Sequence, residues 1–259
     1  MHYSLTHTLH TLRRRWLEPA LPISQARLAL QAYPRYLADW RRYAALPGAE
    51  PLAVAESNPC LFDQTATTPF NTHYTYQAVW AFDAIRRAGV PLHVDVGSQI
   101  SFVSMLSVIT EVLFIDIRPA LIELVSLREL AGSLLNLPLA DGKLASLSCM
   151  HVAEHIGLGR YGDPLNPAGT REAAAELARV LAPGGRLYFS LPIGRARVCY
   201  NAHRVHTPQQ VLAYFTDLEL ARCGVIDDQG HFYPSLSSDE LAGYAAAEYS
   251  CGLFEFRKP

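Results

Sequence analysis

The sequence predicts an α/β protein with a doubly wound, mainly parallel sheet, preceded by a basic helical extension. Three observations support this prediction. From about residue 75 onward, short apolar runs alternate with segments of helical periodicity. The first two predicted strands each end in an aspartate, Asp95 and Asp116. Half of the 259 residues are hydrophobic, which is ample material for a buried core.

The N-terminal segment is basic. Residues 1–42 carry seven arginines against two acidic side chains, so a local charge of +5 leaves −7 for the rest of a chain whose net charge is −2. Aromatic and leucine residues interleave with the arginines, which predicts one or two amphipathic helices with solvated outer faces. Contact with an anionic membrane surface or an acidic partner is the alternative. Because Pro47-Gly48 and Pro51 mark a loop, we assign residues 1–70 to a helical extension and 71–259 to the α/β domain.

The first part of the α/β domain predicts two helix–strand pairs. Apolar side chains at helical spacing indicate helices over residues 77–88 and around 102–109. An apolar run after each helix predicts strands over 91–96 and 112–117. The second pair is apolar enough to resemble a membrane span, but regularly spaced serines favour a buried helix followed by a buried strand.

The middle of the domain continues the alternation. We expect a helix over 120–131, a short strand over 133–137 and a strand over 144–150. Thr170 begins a strong helix that its hydroxyl is expected to cap, and Pro183-Gly184-Gly185 ends that helix.

The last part contains three predicted strands and one helix. The strands cover residues 186–191, 218–226 and 252–257. Thr207 to Gln210 combine a capping box with a proline at the first helical position, which predicts a helix to about residue 215. Strands separated by helices form parallel sheets, and such sheets bind ligands at the carboxyl ends of their strands.

Composition excludes several classes of protein. The near-neutral charge argues against a nucleic-acid binder that works by bulk charge. No two of the five cysteines have CxxC spacing, which argues against a zinc ribbon or a disulfide scaffold and indicates a reducing compartment. The first residues have no apolar stretch before their basic run, unlike a secretory signal. We therefore expect a cytoplasmic protein.

The first strand and the turn after it predict a nucleoside site. Gly97 at the end of this strand lets the backbone approach a ligand. Asp116 follows Asp95 by 21 residues, where a carboxylate can accept both hydroxyls of a ribose. Gln99 and Phe102 occupy the second and third glycine positions of the dinucleotide fingerprint, which argues against a nicotinamide or flavin dehydrogenase.

Motifs further along the chain resemble a known superfamily. They are Leu137-Pro138-Leu139-Ala140-Asp141, His151-Val152-Ala153-Glu154-His155, and Val180-Leu181-Ala182-Pro183-Gly184-Gly185. Their order closely resembles class I S-adenosylmethionine-dependent methyltransferases over about residues 90–195, and loosely over 196–259. The GLGRYGDP loop at 157–164 and the later Asn201-Ala202-His203-Arg204 are similar to an uncharacterised methyltransferase-like family of unknown function. Bacterial members of that family often accompany surface-polysaccharide genes.

The resemblance implies a fold and a cofactor. It implies a Rossmann-like, seven-stranded mixed sheet whose last strand is antiparallel, and S-adenosylmethionine as cofactor. By the same resemblance, the cofactor-binding residues are Asp95, Gly97, Ser98 and Gln99 at the methionine end, Asp116 at the ribose, Ile117, Ser133 and Leu134 at the adenine, and the main chain of His151. Related enzymes usually have an acid at position 133 and further glycines after Gly97. A non-catalytic binding or scaffold module with a degenerate cofactor site is therefore the alternative.

The expected reaction is methylation of a hydroxyl on a small or glycan-linked substrate. Histidine suits this reaction as a base because its pKa lies near 7. The candidate catalytic residues at the carboxyl edge of the sheet are His155, Asp163 and His203, and the candidate substrate-binding residues are Arg160, Tyr161, Asn201, Arg204 and His206. The segment 71–77 is either a lid over the cofactor or ordinary packing.

A zinc-binding site is the third functional hypothesis that the sequence offers. Residues 151–155 match the H-x-x-E-H of inverted zinc proteases, which place both histidines on one helical face. Here the motif straddles a strand end and is followed by two glycines. We therefore expect no bound metal.

Overall fold

The computed structural model describes residues 5–259, and the chain divides into two compact units between Pro69 and Phe70. The N-terminal unit consists of α1 (Leu5–Thr11), a π-helical turn (Leu12–Leu17), α2 (Ile23–Ala44) and a 3-10 turn (Val54–Glu56). Arg35 of α2 donates a 3.0 Å hydrogen bond to the carbonyl of Leu61, so the segment after α2 returns to this helix. Within the described residues, no helix has the length and hydropathy needed to cross a membrane.

The second unit is an α/β domain. Its main strands are β1 (Leu92–Val96), β2 (Glu111–Asp116), β3 (Leu127–Ala131), β4 (Leu144–Met150), β5 (Leu181–Ile193), β8 (Glu219–Ile226), β9 (Phe232–Leu236) and β10 (Ser250–Arg257). A separate hairpin is formed by β6 (Arg197–Cys199) and β7 (His203–Val205). The helices are α3 (Thr72–Ala88), α4 (Ile100–Leu106), α5 (Gly169–Val180), α6 (Pro208–Tyr214) and α7 (Ser238–Ala242), with 3-10 turns at Ala153–His155 and Gly243–Ala246.

The eight main strands form one mixed sheet in the order β3-β2-β1-β4-β5-β10-β8-β9. Neighbours from β3 to β5 are parallel. The last strand, β10, lies between β5 and β8 and is antiparallel to both. The strand order reverses at β1, where β2 lies on one side and β4 on the other. Ligands bind at such a reversal, outside the carboxyl ends of the strands.

Two apolar clusters cover the two faces of the sheet. One contains Leu177 of α5 and Phe215, with Phe189 of β5. The other contains Trp80 of α3 and Phe102 of α4. Because both faces are covered, the central strands are largely buried, and the polar side chains of His93, Asp95, Ser146 and Ser148 within them hydrogen-bond to one another.

The predicted fold class is confirmed, including the antiparallel last strand. The strand number differs, because the main sheet has eight strands where seven are expected. The additional strand, β9, pairs with β8 at the edge of the sheet. Its exposed Tyr233 and Pro234 give it little apolar patterning, so the sequence offers no strong strand signal there.

The predicted helix over 120–131 is wrong. Residues 117–126 form an irregular connection, and 127–131 form β3, paired in parallel with β2. The carboxylate of Glu129 accepts hydrogen bonds from the amides of Leu121 and Ile122, at 2.9 and 2.7 Å, which stabilises the connection. Pairing with the edge of β2 therefore overrides the helical spacing of the leucines.

Two other local predictions also fail. The expected strand over 133–137 is a turn, in which the amide of Asn136 donates to the carbonyl of Ser133. Thr170 does not cap α5, which begins at Gly169 with Ala168 as its N-cap. The Thr170 hydroxyl instead donates a 2.9 Å hydrogen bond to the buried carbonyl of Ala153.

The capping box before α6 is confirmed. Thr207 and Gln210 exchange side-chain and main-chain hydrogen bonds, and Pro208 occupies the first turn. The strands predicted at 144–150, 218–226 and 252–257 correspond to β4, β8 and β10, and the strand predicted at 186–191 lies within β5.

Candidate functional site

A cavity of about 370 Å³ opens at the carboxyl ends of β1, β2 and β4. Its volume lies in the range of small-molecule binding sites. The residues at the three strand ends, Gly97, Asp116 and His151, all line it. The other main contributors are Tyr74, Gln99, Ile117, Arg118, Ser133, Leu134, Val152, His155, Tyr161 and Asp163.

The backbone conformation and the neighbouring side chains both require a glycine at position 97. Its φ is +71°, a conformation that side chains rarely adopt. A Cβ at this position would lie 2.9 Å from Val152 Cγ1 and 3.6 Å from Asp116 Oδ2. The glycine therefore keeps open the part of the cavity next to the Asp116 carboxylate.

Asp95 and Ser98 stabilise the turn around Gly97 through buried hydrogen bonds. The fully buried Asp95 carboxylate accepts hydrogen bonds from the Ser98 amide, at 3.0 Å, and from the Ser148 hydroxyl. The Ser98 hydroxyl oxygen accepts a 3.0 Å hydrogen bond from the amide of Met150. Burial raises the pKa of Asp95 to about 6, although its hydrogen bonds act in the opposite direction. These contacts join the ends of β1 and β4.

Asp116 is positioned for polar contact with a ligand. It is half-buried at the end of β2, and its Oδ1 accepts a 2.7 Å hydrogen bond from the amide of Arg118. The next residue, Ile117, is 45% exposed and lines the cavity. Together they combine a fixed acceptor with an apolar surface, as a nucleoside requires.

His155 faces the same cavity from the turn after β4. Its Nδ1 lies 2.6 Å from the carbonyl of Ala202, which can only accept, so Nδ1 carries the proton. Its Nε2 lies 3.6 Å from Glu154 Oε1, beyond hydrogen-bonding distance. The tautomer set by Ala202 therefore leaves Nε2 as the nitrogen that can accept a proton.

His151 and Glu154 form a buried pair behind this wall. His151 Nδ1 lies 2.5 Å from Glu154 Oε1, and the Glu154 side chain is fully buried. Burial alone would raise the pKa of Glu154, but the adjacent His151 outweighs burial and lowers it. The pair therefore places an ionised carboxylate beside the cavity.

Known proteins match the chain in part of its sequence and in its fold. Residues 140–224 match a family model described as "Caenorhabditis protein of unknown function, DUF268", which agrees with the expected resemblance to an uncharacterised family. This match covers 85 of the 259 residues. No curated protein matches the sequence significantly.

Solved structures are more informative about the fold. The chain is similar to the [4+2]-cyclase SpnF, with 14% identity and a TM-score of 0.51 over 71% of this chain and 80% of that one. It is similar to the 1,6-didemethyltoxoflavin-N1-methyltransferase of Burkholderia thailandensis, with 11% identity and a TM-score of 0.50 over 72% and 78%. Geranyl diphosphate methyltransferase in complex with SAM gives 15% identity and a TM-score of 0.50 over 71% and 84%.

The chain has the class I methyltransferase fold. A cyclase shares it, so the methyltransferase fold by itself does not define the reaction. The chemistry must be argued from the residues at the cavity.

The predicted cofactor-binding residues lie together in this methyltransferase fold. Seven of them line the cavity: Gly97, Gln99, Asp116, Ile117, Ser133, Leu134 and His151. Asp95 and Ser98 are buried behind them and support the turn. Their roles toward a cofactor stay predictions.

The predicted catalytic residues separate into two groups. His155 and Asp163 line the cavity, and His203 is not among its lining residues. Asp163 accepts hydrogen bonds from the amides of Gly157 and Tyr161, at 2.6 and 3.2 Å. Burial alone would raise the pKa of Asp163, but these amides lower it, so the carboxylate is ionised and organises its loop.

His203 lies on β7, away from the cavity lining. Its ring centroid is 4.8 Å from that of Tyr249. Burial lowers the pKa of His203 to about 4, which makes it a weak base. Of the two histidines predicted to be catalytic, His155 is therefore the one that lines the cavity.

The predicted substrate-binding residues are spread over two places. Tyr161 lines the cavity, with the Arg118 and Arg160 guanidinium carbons 4.2 and 5.1 Å from its ring centre. Arg204 is buried and donates to the carbonyls of Ile156 and Asn166, at 2.5 and 2.9 Å, so its hydrogen bonds stabilise the loop after His155. Asn201 is exposed in the turn of the β6–β7 hairpin.

His206 lies at a second, smaller cavity of about 230 Å³, which Arg171, Arg204 and Tyr214 also line. Its Nδ1 is 3.2 Å from the Tyr214 hydroxyl. Burial lowers the pKa of His206 to about 4.

Several residues at the site have no individual prediction from sequence. Arg118 follows Asp116 directly and could have been found from that position. Tyr74 lies in the segment predicted as lid or packing, and it lines the cavity while Gln77 packs against Ser190. Within the H-x-x-E-H motif only Ala153–His155 form a 3-10 turn and His151 precedes it, so the two histidines do not share the long helix of an inverted zinc protease.

Proposed function

We propose that this chain is an S-adenosylmethionine-dependent methyltransferase that methylates a hydroxyl of a small or glycan-linked molecule. The observation that carries the proposal is the joint presence of Gly97, Asp116 and His155 on one cavity at the strand reversal. Each supplies a different requirement: backbone access, a ribose acceptor and a base.

The residues present fit the cofactor. The space beside Gly97, which a Cβ would fill, lies next to the Asp116 carboxylate. Asp116 would accept the ribose hydroxyls, Ile117 and Leu134 would pack on the adenine, and the main chain of His151 would meet the amino acid end. When bound, S-adenosylmethionine supplies an activated methyl group, so the protein contributes mainly positioning.

His155 would act on the acceptor. Its Nδ1–H is held by Ala202, and Nε2 can take the proton that an acceptor hydroxyl loses. Arg118 lines the same cavity, and Arg160 lies beside Tyr161. Two cations near the acceptor side favour a substrate that carries a phosphate or carboxylate.

A non-catalytic module that binds another ligand is the second candidate. It is favoured by the turn after β1, which keeps Gly97 and has Gln99 and Phe102 at the later glycine positions. It is also favoured by Ser133, which stands where related enzymes usually have an acid.

Calorimetric titration of the full chain with S-adenosylmethionine and S-adenosylhomocysteine tests the proposal. We expect a dissociation constant near 10 µM, about −7 kcal/mol, for the wild type. Asp116→Ala should weaken it by at least about 30-fold, roughly 2 kcal/mol. The exposed Asp217→Ala is the matched control and should leave affinity unchanged.

Absence of binding up to about 1 mM would contradict the proposal and support the second candidate. If binding is found, release of S-adenosylhomocysteine with a panel of hydroxyl and amine acceptors tests the reaction. Turnover with amines alone would contradict oxygen as the nucleophile.

A further inference from the structure

A second cluster of reactive side chains lies behind the cavity wall. His73 of α3, His151 after β4 and Cys251 of β10 place their donor atoms within 4.8 Å of one another. His151 and Cys251 are buried, and His73 is half-buried. Neither His73 nor Cys251 lines the cavity.

The geometry matches a metal site. His73 Nδ1 and His151 Nε2 are 3.3 Å apart. Two Zn–N bonds of 2.0–2.1 Å at a tetrahedral angle separate their nitrogens by roughly 3.3–3.4 Å. The two imidazoles can therefore bind one ion without moving apart.

The cluster is held in place by two sets of contacts. The His73 ring stacks on Tyr249 with a centroid distance of 5.3 Å. One turn later on α3, Gln77 accepts a 2.7 Å hydrogen bond from Ser190 and lies 3.8 Å from Cys251 Sγ. α3 is thus fixed against β5 and β10, so the donors are already organised for an ion.

Glu154 provides an independent indication of a cation. Its Oε1 contacts His151 Nδ1, which orients Nε2 of that ring toward His73. A carboxylate on the far nitrogen is a regular feature of metal-binding histidines. The other oxygen, Oε2, is buried without a hydrogen-bond partner among the described residues. A divalent ion bound at His151 Nε2 would add positive charge close to this carboxylate.

We propose that His73, His151 and Cys251 bind one zinc-class divalent ion, with Glu154 as the residue that orients His151. Two imidazoles and a thiolate favour zinc and similar ions over magnesium or calcium, which prefer oxygen. The ion replaces the protons on Cys251 Sγ and on His151 Nε2, and these leave to solvent. Three protein ligands leave a fourth position for water or another oxygen, as in catalytic zinc sites.

The test is metal binding by the full chain, which is independent of methyl transfer. The purified protein is stripped with a chelator and reconstituted with Zn²⁺ or Co²⁺, and bound metal is counted by elemental analysis. We expect one ion per chain. With Co²⁺ we also expect a thiolate-to-metal charge-transfer absorption band, which reports directly on sulfur coordination.

Variants assign the ligands. Cys251→Ser should abolish the charge-transfer band, and His73→Ala and Glu154→Gln should each weaken metal affinity by about 10-fold or more. Cys223→Ser, another buried cysteine on the neighbouring strand β8, is the matched control and should keep the band. Circular dichroism checks that each variant is folded, and the half-buried His73 allows the test even if Cys251→Ser does not fold.

Two results would overturn the proposal. One is a folded wild type that retains less than about a tenth of an ion per chain after reconstitution with either metal. In that case His73 and His151 form only a hydrogen bond. The other is a charge-transfer band that survives in Cys251→Ser and disappears in Cys223→Ser. Neither result bears on cofactor binding, so the two proposals can fail separately.

Discussion

The ring of His155 donates a 2.6 Å hydrogen bond from Nδ1 to the main-chain carbonyl of Ala202. The same carbonyl accepts a 3.0 Å hydrogen bond from Arg160. Ala202 lies in the turn of the β6–β7 hairpin, and Arg160 lies in the loop after His155. Two separate segments thus determine which nitrogen of His155 is available at the cavity.

Substitution of His155 by glutamine should remove the base and retain the cofactor. Glutamine keeps a polar side chain at this position, but it cannot accept a proton from a hydroxyl. We expect kcat to fall by about 100-fold or more, with S-adenosylmethionine affinity unchanged within about twofold. The measurement is S-adenosylhomocysteine formation with the first acceptor that supports turnover.

His203→Gln is the comparison for this variant, because His203 is the other histidine that the sequence predicts to be catalytic. We expect it to retain most of the activity, since His203 does not line the cavity and its pKa is low. A large loss in His203→Gln with normal turnover in His155→Gln would reverse the assignment.

Substitution of Gly97 by alanine should damage both stability and ligand binding. The left-handed backbone costs about 1–2 kcal/mol for a residue with a Cβ, and the new methyl group would lie 2.9 Å from Val152 Cγ1. We expect a lower midpoint of urea unfolding and at least a 10-fold loss of S-adenosylmethionine affinity by calorimetry.

Gly89→Ala separates the two causes. Gly89 has a φ of +62° and open space where a Cβ would lie, so its substitution measures backbone strain alone. Gly97→Ala should be the more destabilising, and adding Val152→Ala should recover part of the difference. Equal losses of stability in the two glycine variants would show that contact with Val152 does not contribute to the destabilisation.

The pH dependence of stability should reveal opposite contributions from buried groups. Burial lowers the pKa of His93 to about 3 and that of His206 to about 4. Their stabilising contribution is complete above the unfolded value of about 6.5 and is lost as the pH falls toward those values. Asp95, with a pKa raised to about 6, stabilises fully below about pH 4 and loses that contribution as the pH rises through 6.

Asp95→Asn removes one of these contributions and should steepen the loss of stability in acid. Between pH 4 and 6 the slope should increase by up to about 1.4 kcal/mol per pH unit. Urea midpoints across this range measure it, with the exposed Asp217→Asn as control. A variant slope equal to that of the wild type would mean that Asp95 titrates normally.

The sequence predicts those residues of the candidate site that lie at the ends of strands. Gly97, Asp116 and His151 each follow a short apolar run, so their convergence at one edge follows from a parallel sheet. β3 is different, because the leucines at 124, 127 and 130, in and just before this strand, have helical spacing and pairing with β2 determines the structure. Local pattern cannot reveal such pairing.

The histidine–cysteine cluster is also beyond local pattern. His73 and Cys251 lie near opposite ends of the sequence of the α/β domain, and no second histidine or cysteine lies within four residues of either. They meet because β10 inserts between β5 and β8 while α3 packs on the same face. Only tertiary packing brings these donors to His151.

His151 has a φ of +60° at the end of β4, a left-handed conformation that is uncommon for a residue with a side chain. Its surface contributes to the cavity, while its ring contacts His73 and Glu154. The proposed nucleoside site and the proposed metal site therefore share one residue, His151. If both ligands bind as proposed, thermodynamic reciprocity requires that a nucleoside in the cavity change the affinity of the cluster for the cation by the same factor by which the cation changes the affinity for the nucleoside.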